Sequence, residues 1–337
     1  MPRAFITGLA GPVLTDDERR FLTEADPWGL ILFRRNVATP DQLRALTDAF
    51  REAVGRDAPV LVDQEGGRVQ RLTAPLWRKY PSARRLHAAA AGDLSLIRDT
   101  ARAMAADLRA AGITVDCAPC LDLGLPDQSQ VIGDRAYAGD PAAVAAAGRA
   151  AAAGFLAGGV LPVIKHMPGH GRATVDSHHH LPVVTARFED LAATDFAPFV
   201  ALSDLPAAMT AHIVYTALDP DWPATQSAVV IGEIIRGLIG FDGLLLSDDV
   251  SMNALTGTVD DRAARSLAAG CDIALHCNGL MAEMEAVAAV APMLEGRALE
   301  RAERALSHVR EPDRVDLDAL HARLDAALAA DGSGVGL

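Results

Sequence analysis

Aromatic side chains are scarce, with Phe, Trp and Tyr together making 4% of 337 residues. Cysteine is scarcer still, at four. Four thiols in so long a chain do not make the framework of a small disulfide-stapled domain. Cys117-Ala118-Pro119-Cys120 is the one close pair. A redox reading needs a helix opening at that pair, and a metal reading needs more ligands. No second pair follows, and Cys271 and Cys277 lie singly around a late apolar run. Basic charge is also short: 31 Lys and Arg against 44 Asp and Glu leave a net charge of −13. That argues against nucleic acid or an anionic membrane as a partner. No apolar run approaches the ~18 residues of a membrane span. The start, Met1 to Gly8, is too short in apolar residues for a secretory leader and reads as a first strand. A reducing cytoplasm is therefore the expected compartment. Low-complexity linkers and repeats are missing before the loose tail, Asp331 to Gly336.

What the chain does have is half its residues apolar, enough for a sizeable core. They recur in short runs: Ala4–Gly8, Gly29–Phe33, Pro59–Asp63, Thr114–Ala118, Leu161–His166, Ala207–His212, Gly243–Ser247 and Asp272–His276. Such runs, continuous rather than alternating, suit strands buried on both faces. Helical patterns lie between them. Thr15 or Asp16 caps one through Phe21-Leu22, and Thr39-Pro40 opens another with Leu43, Leu46 and Phe50 inward. Others run over Leu94–Ala110, Asp140–Ala157, Phe188–Leu202, Ser227–Gly240, Met281–Val309 and Leu317–Ala329. Eight strands alternating with helices predict an α/β fold, a single (β/α)8 TIM-type barrel with room for irregular strands. Residues 1–310 form the barrel, and 311–337 a C-terminal helix and flexible tail. A doubly wound sheet is the rival, weakened because no Gly-x-Gly-x-x-Gly follows the first strand. Polar residues stand just after the strands: Asp63, Asp122, Lys165-His166, His212, Asp248 and His276. In a barrel that end carries the active site.

The richest stretch is Lys165-His166-Met167-Pro168-Gly169-His170-Gly171, followed by Asp176-Ser177-His178. A buried strand feeds it, and its Pro and Gly residues turn it into a loop. His166 and His170 have the i, i+4 spacing of a helical zinc pair, but Pro168 and Gly169 break any helix between them. Asp176 and His178 are two apart and can face the same way. A carboxylate bonded to one imidazole nitrogen fixes the tautomer and tunes the ring for acid and base work. A solvated loop with a chance pairing is the plain alternative. In Ser247-Asp248-Asp249, strand alternation lets only one acid point into the barrel mouth.

Asp63-Gln64-Glu65-Gly66-Gly67-Arg68-Val69-Gln70-Arg71, Ile132-Gly133-Asp134-Arg135, the Lys165 and Asp176 motifs and Leu246-Ser247-Asp248-Asp249-Val250-Ser251-Met252 resemble, in order, the motifs of glycoside hydrolase family 3. They most resemble its β-N-acetylglucosaminidases, over residues 1 to 310. The resemblance implies a retaining double displacement on terminal β-linked GlcNAc. Asp248 matches the family's nucleophile. His178, partnered by Asp176, matches its acid/base. Asp63, Arg71, Arg135, Lys165 and His166 match residues that hold sugar hydroxyls. It implies a saccharide or muropeptide substrate and cell-wall recycling in the cytoplasm. No cofactor or metal is expected, and the oligomeric state is left open, with a monomer favoured. Met167 departs from the Phe often found there but keeps an apolar filler. His179 and His180 match nothing. Transfer to phosphate, a non-catalytic sugar-binding barrel and a metal-dependent hydrolase are the alternatives.

Overall fold

The computed structural model describes residues 1–126, 130–177 and 180–331. His178, His179 and residues 332–337 therefore lie outside the described residues. Eight parallel strands form the central sheet: β1 (Arg3–Thr7), β2 (Pro27–Leu32), β3 (Val60–Val62), β4 (Val115–Asp116), β5, β6 (Ala207–Thr210), β7 (Leu244–Asp249) and β8 (Ile273–Leu275). Strand β5 comes in two pieces, Leu161–Pro162 and Ile164–Met167. Pro162 has no N–H to give, and Val163 between the pieces still donates to Asp116 O at 2.9 Å. The first piece pairs with β4 and the second with β6, while β8 pairs with β1. The sheet thus closes on itself through β5, as the barrel reading predicts.

Closure explains the continuous apolar runs. Ala4, Ile6, Leu61, Val115, Leu161, Val163, Met209, Leu244, Leu246 and Ile273 pack together inside the barrel. Alternate residues such as Phe5, Leu30, Val60 and Val62, and Ile164, Ala208 and Leu245, point out against helices. Both faces of each strand are buried, so neither face reads as polar.

The helices form the outer layer. Thr15 and Glu18 make a capping box on α1 (Asp16–Ala25), and Thr39 and Gln42 make one on α2 (Pro40–Val54). After β3 come α3 (Ala83–Ala90), which the sequence reading missed, and α4 (Leu94–Ala110). Then follow α5 (Pro141–Ala157), α6 (Phe188–Ala193) and α7 (Ala197–Ala201). The single helix expected over 188–202 is thus two, with buried Asp195 between them bonded to Arg172 Nε at 2.7 Å. Val230–Leu238 winds as a π-helix behind the expected Ser227 cap, whose Oγ accepts from Val230 N at 3.0 Å. After β7 comes α8 (Val259–Ala269). The pattern over 281–309 divides at Pro292 into α9 (Met281–Val290) and α10 (Gly296–Leu306). The last helix, α11 (Leu317–Ala330), lies against α3 and α4. No helix among the described residues is long and apolar enough to cross a membrane.

Candidate active site

Strand β3 sets the first group of side chains. Leu61 points inward, so Asp63 and Glu65, two and four residues on, continue on the same face. The chain then reverses in a short hairpin, Gln64–Gly66 with Val69–Gln70. Gly66 and Gly67 make the reversal at φ +94° and +59°, and a Cβ on Gly66 would lie 2.2 Å from Pro81 O. Gln64 locks the return, its Oε1 accepting from the N–H of Arg71 at 3.0 Å and of Leu72 at 3.1 Å. Arg71 is thereby returned to Asp63, Nη2 to Oδ2 at 3.0 Å. Arg68 reaches the next loop and donates to Asp134 Oδ1 at 3.1 Å and Val131 O at 2.7 Å. That contact steadies the turn Gly133–Arg135.

Lys165 completes the cluster. It ends the inward series Leu161, Val163, Lys165, and its Nζ bridges Asp63 Oδ1 at 2.8 Å and Glu65 Oε1 at 2.7 Å. Arg135 grips Glu65 with both arms, each at 2.8 Å. Burial alone would raise both carboxyls, yet the neighbouring cations outweigh it. Lys165 and Arg71 hold Asp63 far below its usual range, and Arg135 with Lys165 brings Glu65 to about 2. Burial likewise opposes the Lys165 charge, and Asp63 and Glu65 overcome it, so its ammonium is held more firmly than usual.

His166 follows through a cis peptide bond. Its Nδ1 lies 2.6 Å from Asp122 Oδ2, and its Nε2 lies 3.5 Å from Arg135 Nη2. A carboxylate can only accept, so Nδ1 carries a hydrogen and Nε2 faces the guanidinium. Cys120 Sγ also donates to Asp122 Oδ2 at 3.1 Å. These three groups lie within 4.8 Å of one another, close enough for a metal ion. They are already bonded among themselves, with a cation beyond the ring, so the cluster is complete as a hydrogen-bonded unit. All four cysteines are buried free thiols, which leaves no disulfide at the Cys117 and Cys120 pair.

On the far wall, Asp248 continues the inward series Leu244, Leu246 along β7. Its Oδ1 accepts from the Asp249 N–H at 2.8 Å. The Asp249 carboxylate is taken up by the loop, accepting from Ser251 N at 2.9 Å, Ser251 Oγ at 2.7 Å and Cys277 N at 3.2 Å. Both acids border the cavity, and their surroundings separate them.

One cavity of about 320 Å³ collects Asp63, Arg71, Arg135, Lys165, His166, Asp176 and Asp248 at its walls. Every site residue singled out in the sequence and lying within the described residues is there. Phe33, Met209 and Met252 supply apolar wall, with the Arg71 guanidinium 5.3 Å from the Phe33 ring centre. Not every polar residue after a strand faces the cavity. His212 is buried behind it, bonded to Thr225 Oγ1 at 2.8 Å and Asp249 O at 3.0 Å. His276 turns to Glu283 at 3.1 Å, and Asp122 stands behind His166. Glu65 and Asp122 belong to the site's frame and went unassigned in the sequence reading. The two-residue period from Asp63 was the available signal for Glu65.

The chain matches the family model "Glycosyl hydrolase family 3 N terminal domain" over residues 9–311. It is 40% identical to a beta-hexosaminidase of Methylococcus capsulatus over 328 residues, covering 96% of each chain. It is 40% identical to the beta-hexosaminidase of Alkalilimnicola ehrlichii, covering 94% of this chain and 88% of that one. Its fold superposes on NagZ from Neisseria gonorrhoeae, solved with N-trifluoroacetyl-D-glucosamine. The TM-score is 0.84 at 32% identity, over 98% of this chain and 97% of that one.

Proposed function

The chain belongs to glycoside hydrolase family 3, and from that premise we propose how its cavity works. The enzyme is a β-N-acetylhexosaminidase. It removes a terminal, non-reducing β-linked GlcNAc by a retaining double displacement. Asp248 is the nucleophile that attacks the anomeric carbon. His178, oriented by Asp176, protonates the leaving oxygen and then, as base, activates the water that frees the sugar. Asp63, Arg71, Arg135, Lys165 and His166 hold the sugar hydroxyls through charge-assisted hydrogen bonds. No cofactor enters the reaction. The substrate is a cell-wall fragment, GlcNAc on 1,6-anhydroMurNAc-peptide, met in the cytoplasm during peptidoglycan recycling. Residues 1–310 are the catalytic unit.

The observation that carries this reading is the gathering of seven separate side chains at one cavity. Its size, about 320 Å³, is at the small end of ligand pockets, which span about 300 to 1,000 Å³. That suits one terminal sugar better than a polymer. Asp248 supports the nucleophile role by its inward phase on β7, and Asp249 is disfavoured because three donors already occupy its carboxylate.

The test is turnover of 4-nitrophenyl β-GlcNAc and of a muropeptide digest, with and without inorganic phosphate. Asp248→Asn should abolish turnover, by roughly a thousandfold or more, while GlcNAc still binds. A sugar phosphate as product would make the enzyme a phosphorylase. Greater loss at Asp249→Asn than at Asp248→Asn would reassign the nucleophile.

A further inference from the structure

His170 has no part in the chemistry proposed above, yet it is buried at 2% exposure beside the cavity. We propose that His170 is a positioning residue that holds Asp176 at the cavity rim by gripping the adjacent Ser177, with Asp122 as its fixed anchor. The proposal rests on the reading of Asp176 as partner of the acid/base.

The anchor comes first. Asp122 is 1% exposed. Its Oδ1 accepts from the backbone N–H of His170 at 2.6 Å and of His166 at 3.2 Å. Its Oδ2 takes His166 Nδ1 and the Cys120 thiol. One carboxylate therefore pins both ends of the turn 166–170. Burial would raise that carboxyl, but the two histidines outweigh it and keep it charged. Tyr215 Oη donates to Gly169 O at 2.5 Å and fixes the turn from outside.

The grip follows. The His170 ring meets the His166 ring edge-on, centres 5.6 Å apart, which sets its direction. Its Nε2 then lies 3.2 Å from Ser177 Oγ, seven residues further on. Ser177 is 3% exposed, whereas Val175 in the same loop is 38% exposed. The loop is thus held inward at Ser177, beside Asp176, which borders the cavity. Burial pushes the His170 imidazole down to about 4, against the pull of Asp122. The grip is a bond between neutral groups across the neutral range. A second support, Arg172 to Asp195 at 2.7 Å, holds the outer limb of the loop and does not reach Ser177.

The experiment uses Ser177→Ala, His170→Gln, their double variant and Ser177→Thr, with His178→Ala as control. Each is assayed on GlcNAc-β-1,4-GlcNAc, whose departure needs a proton, and on 4-nitrophenyl β-GlcNAc, whose first step needs little. Ser177→Ala and His170→Gln should each lose about tenfold or more in kcat on the disaccharide, within the range of general acid catalysis. The first step on the nitrophenyl sugar and both KM values should change by less than about threefold. The double variant should lose no more than the worse single one, and Ser177→Thr should recover most activity. Inhibition by free GlcNAc reports that the sugar site is folded. If His170→Gln does not fold, Ser177→Ala and Ser177→Thr still decide. Equal first-step losses on both substrates, additive losses or wild-type rates would overturn the proposal. Loss at His178→Ala with none at Ser177 or His170 overturns this inference alone. No loss at His178→Ala overturns the site reading and this inference with it.

Discussion

Lys165 is 1% exposed and stands between two carboxylates, one of which also takes both arms of Arg135. Glu65 is therefore shared by two buried cations. Removing it leaves both underpaired, and breaking such a buried arrangement costs about 3–5 kcal/mol. Glu65→Ala should lower the urea midpoint accordingly and raise KM, and Glu65→Gln, which keeps an acceptor, should do less of both. Equilibrium unfolding with steady-state kinetics checks this. The folded pKa of Glu65, about 2, lies below its ordinary 4.5. Its stabilisation is present above pH 4.5 and is lost as pH falls towards 2. His170 acts in a different window. Its folded pKa of about 4 lies below the ordinary 6.5, so the unfolded chain takes up a proton that the folded one refuses. Stability should fall as pH drops from 6.5 to 4, by on the order of 3 kcal/mol in all. The groups facing this ring are Asp122, which favours its charge, and His166 and Arg135, which oppose it. In His170→Gln the loss between pH 6.5 and 4 should shrink, while behaviour below pH 4 stays unchanged. Urea titrations across this range measure it.

The strands were legible because closure buries both faces, which leaves short continuous apolar runs such as Leu244 to Leu246. The capped helices were legible from Thr15 and Thr39. Short or Ala-rich pieces were not: α3 has too few large apolar residues to show a period. The splits near Asp195 and Pro292 come from tertiary bonds and a missing N–H that periodicity does not weigh. The hairpin after Asp63 was visible only as a glycine turn, since its register is fixed by Gln64 reaching across to Arg71 and Leu72. At the site, position just after a strand brought out Asp63, Lys165 and Asp248. The same argument admitted His212 and His276 wrongly, because each lies out of phase with the inward Met209 or Leu275 of its strand and turns away to Thr225 or Glu283. The C-terminal helix allows a test at this scale. Leu324 on α11 is 1% exposed and packs in the cluster that includes Met104 and Leu108. Arg323 beside it reaches Asp93 and Ser95, each at 2.6 Å. Leu324→Ala should cost about 2–5 kcal/mol and leave kcat and KM unchanged at 25 °C. A matching loss of kcat in fully folded protein would show that α11 shapes the cavity.

Across the whole molecule, the cavity draws Asp63 from β3, Lys165 and His166 from β5 and Asp248 from β7. These strands are not neighbours, so their spacing exists only while the ring is closed. Closure itself depends on β8 pairing with β1, Phe5 with Ala274 and Ile6 with Leu275, and on the two halves of β5. Opening at either place removes the floor of the site. The His170 loop is held by buried contacts at Ser177 and so has no reason to melt ahead of the ring. The barrel should then lose structure and activity together. With Trp77 and Trp222 replaced by Phe, Trp28, 2% exposed in the core, reports on the interior by fluorescence, and far-ultraviolet dichroism reports on the helices. In urea, the two signals and residual turnover should share one midpoint, as a cooperative unit requires. Turnover lost at lower urea, with both signals intact, would mean that the loop opens on its own with a smaller free energy than the barrel. In that case the Asp122 and His170 contacts would be too weak to hold it, and the site would be assembled by substrate rather than by the fold.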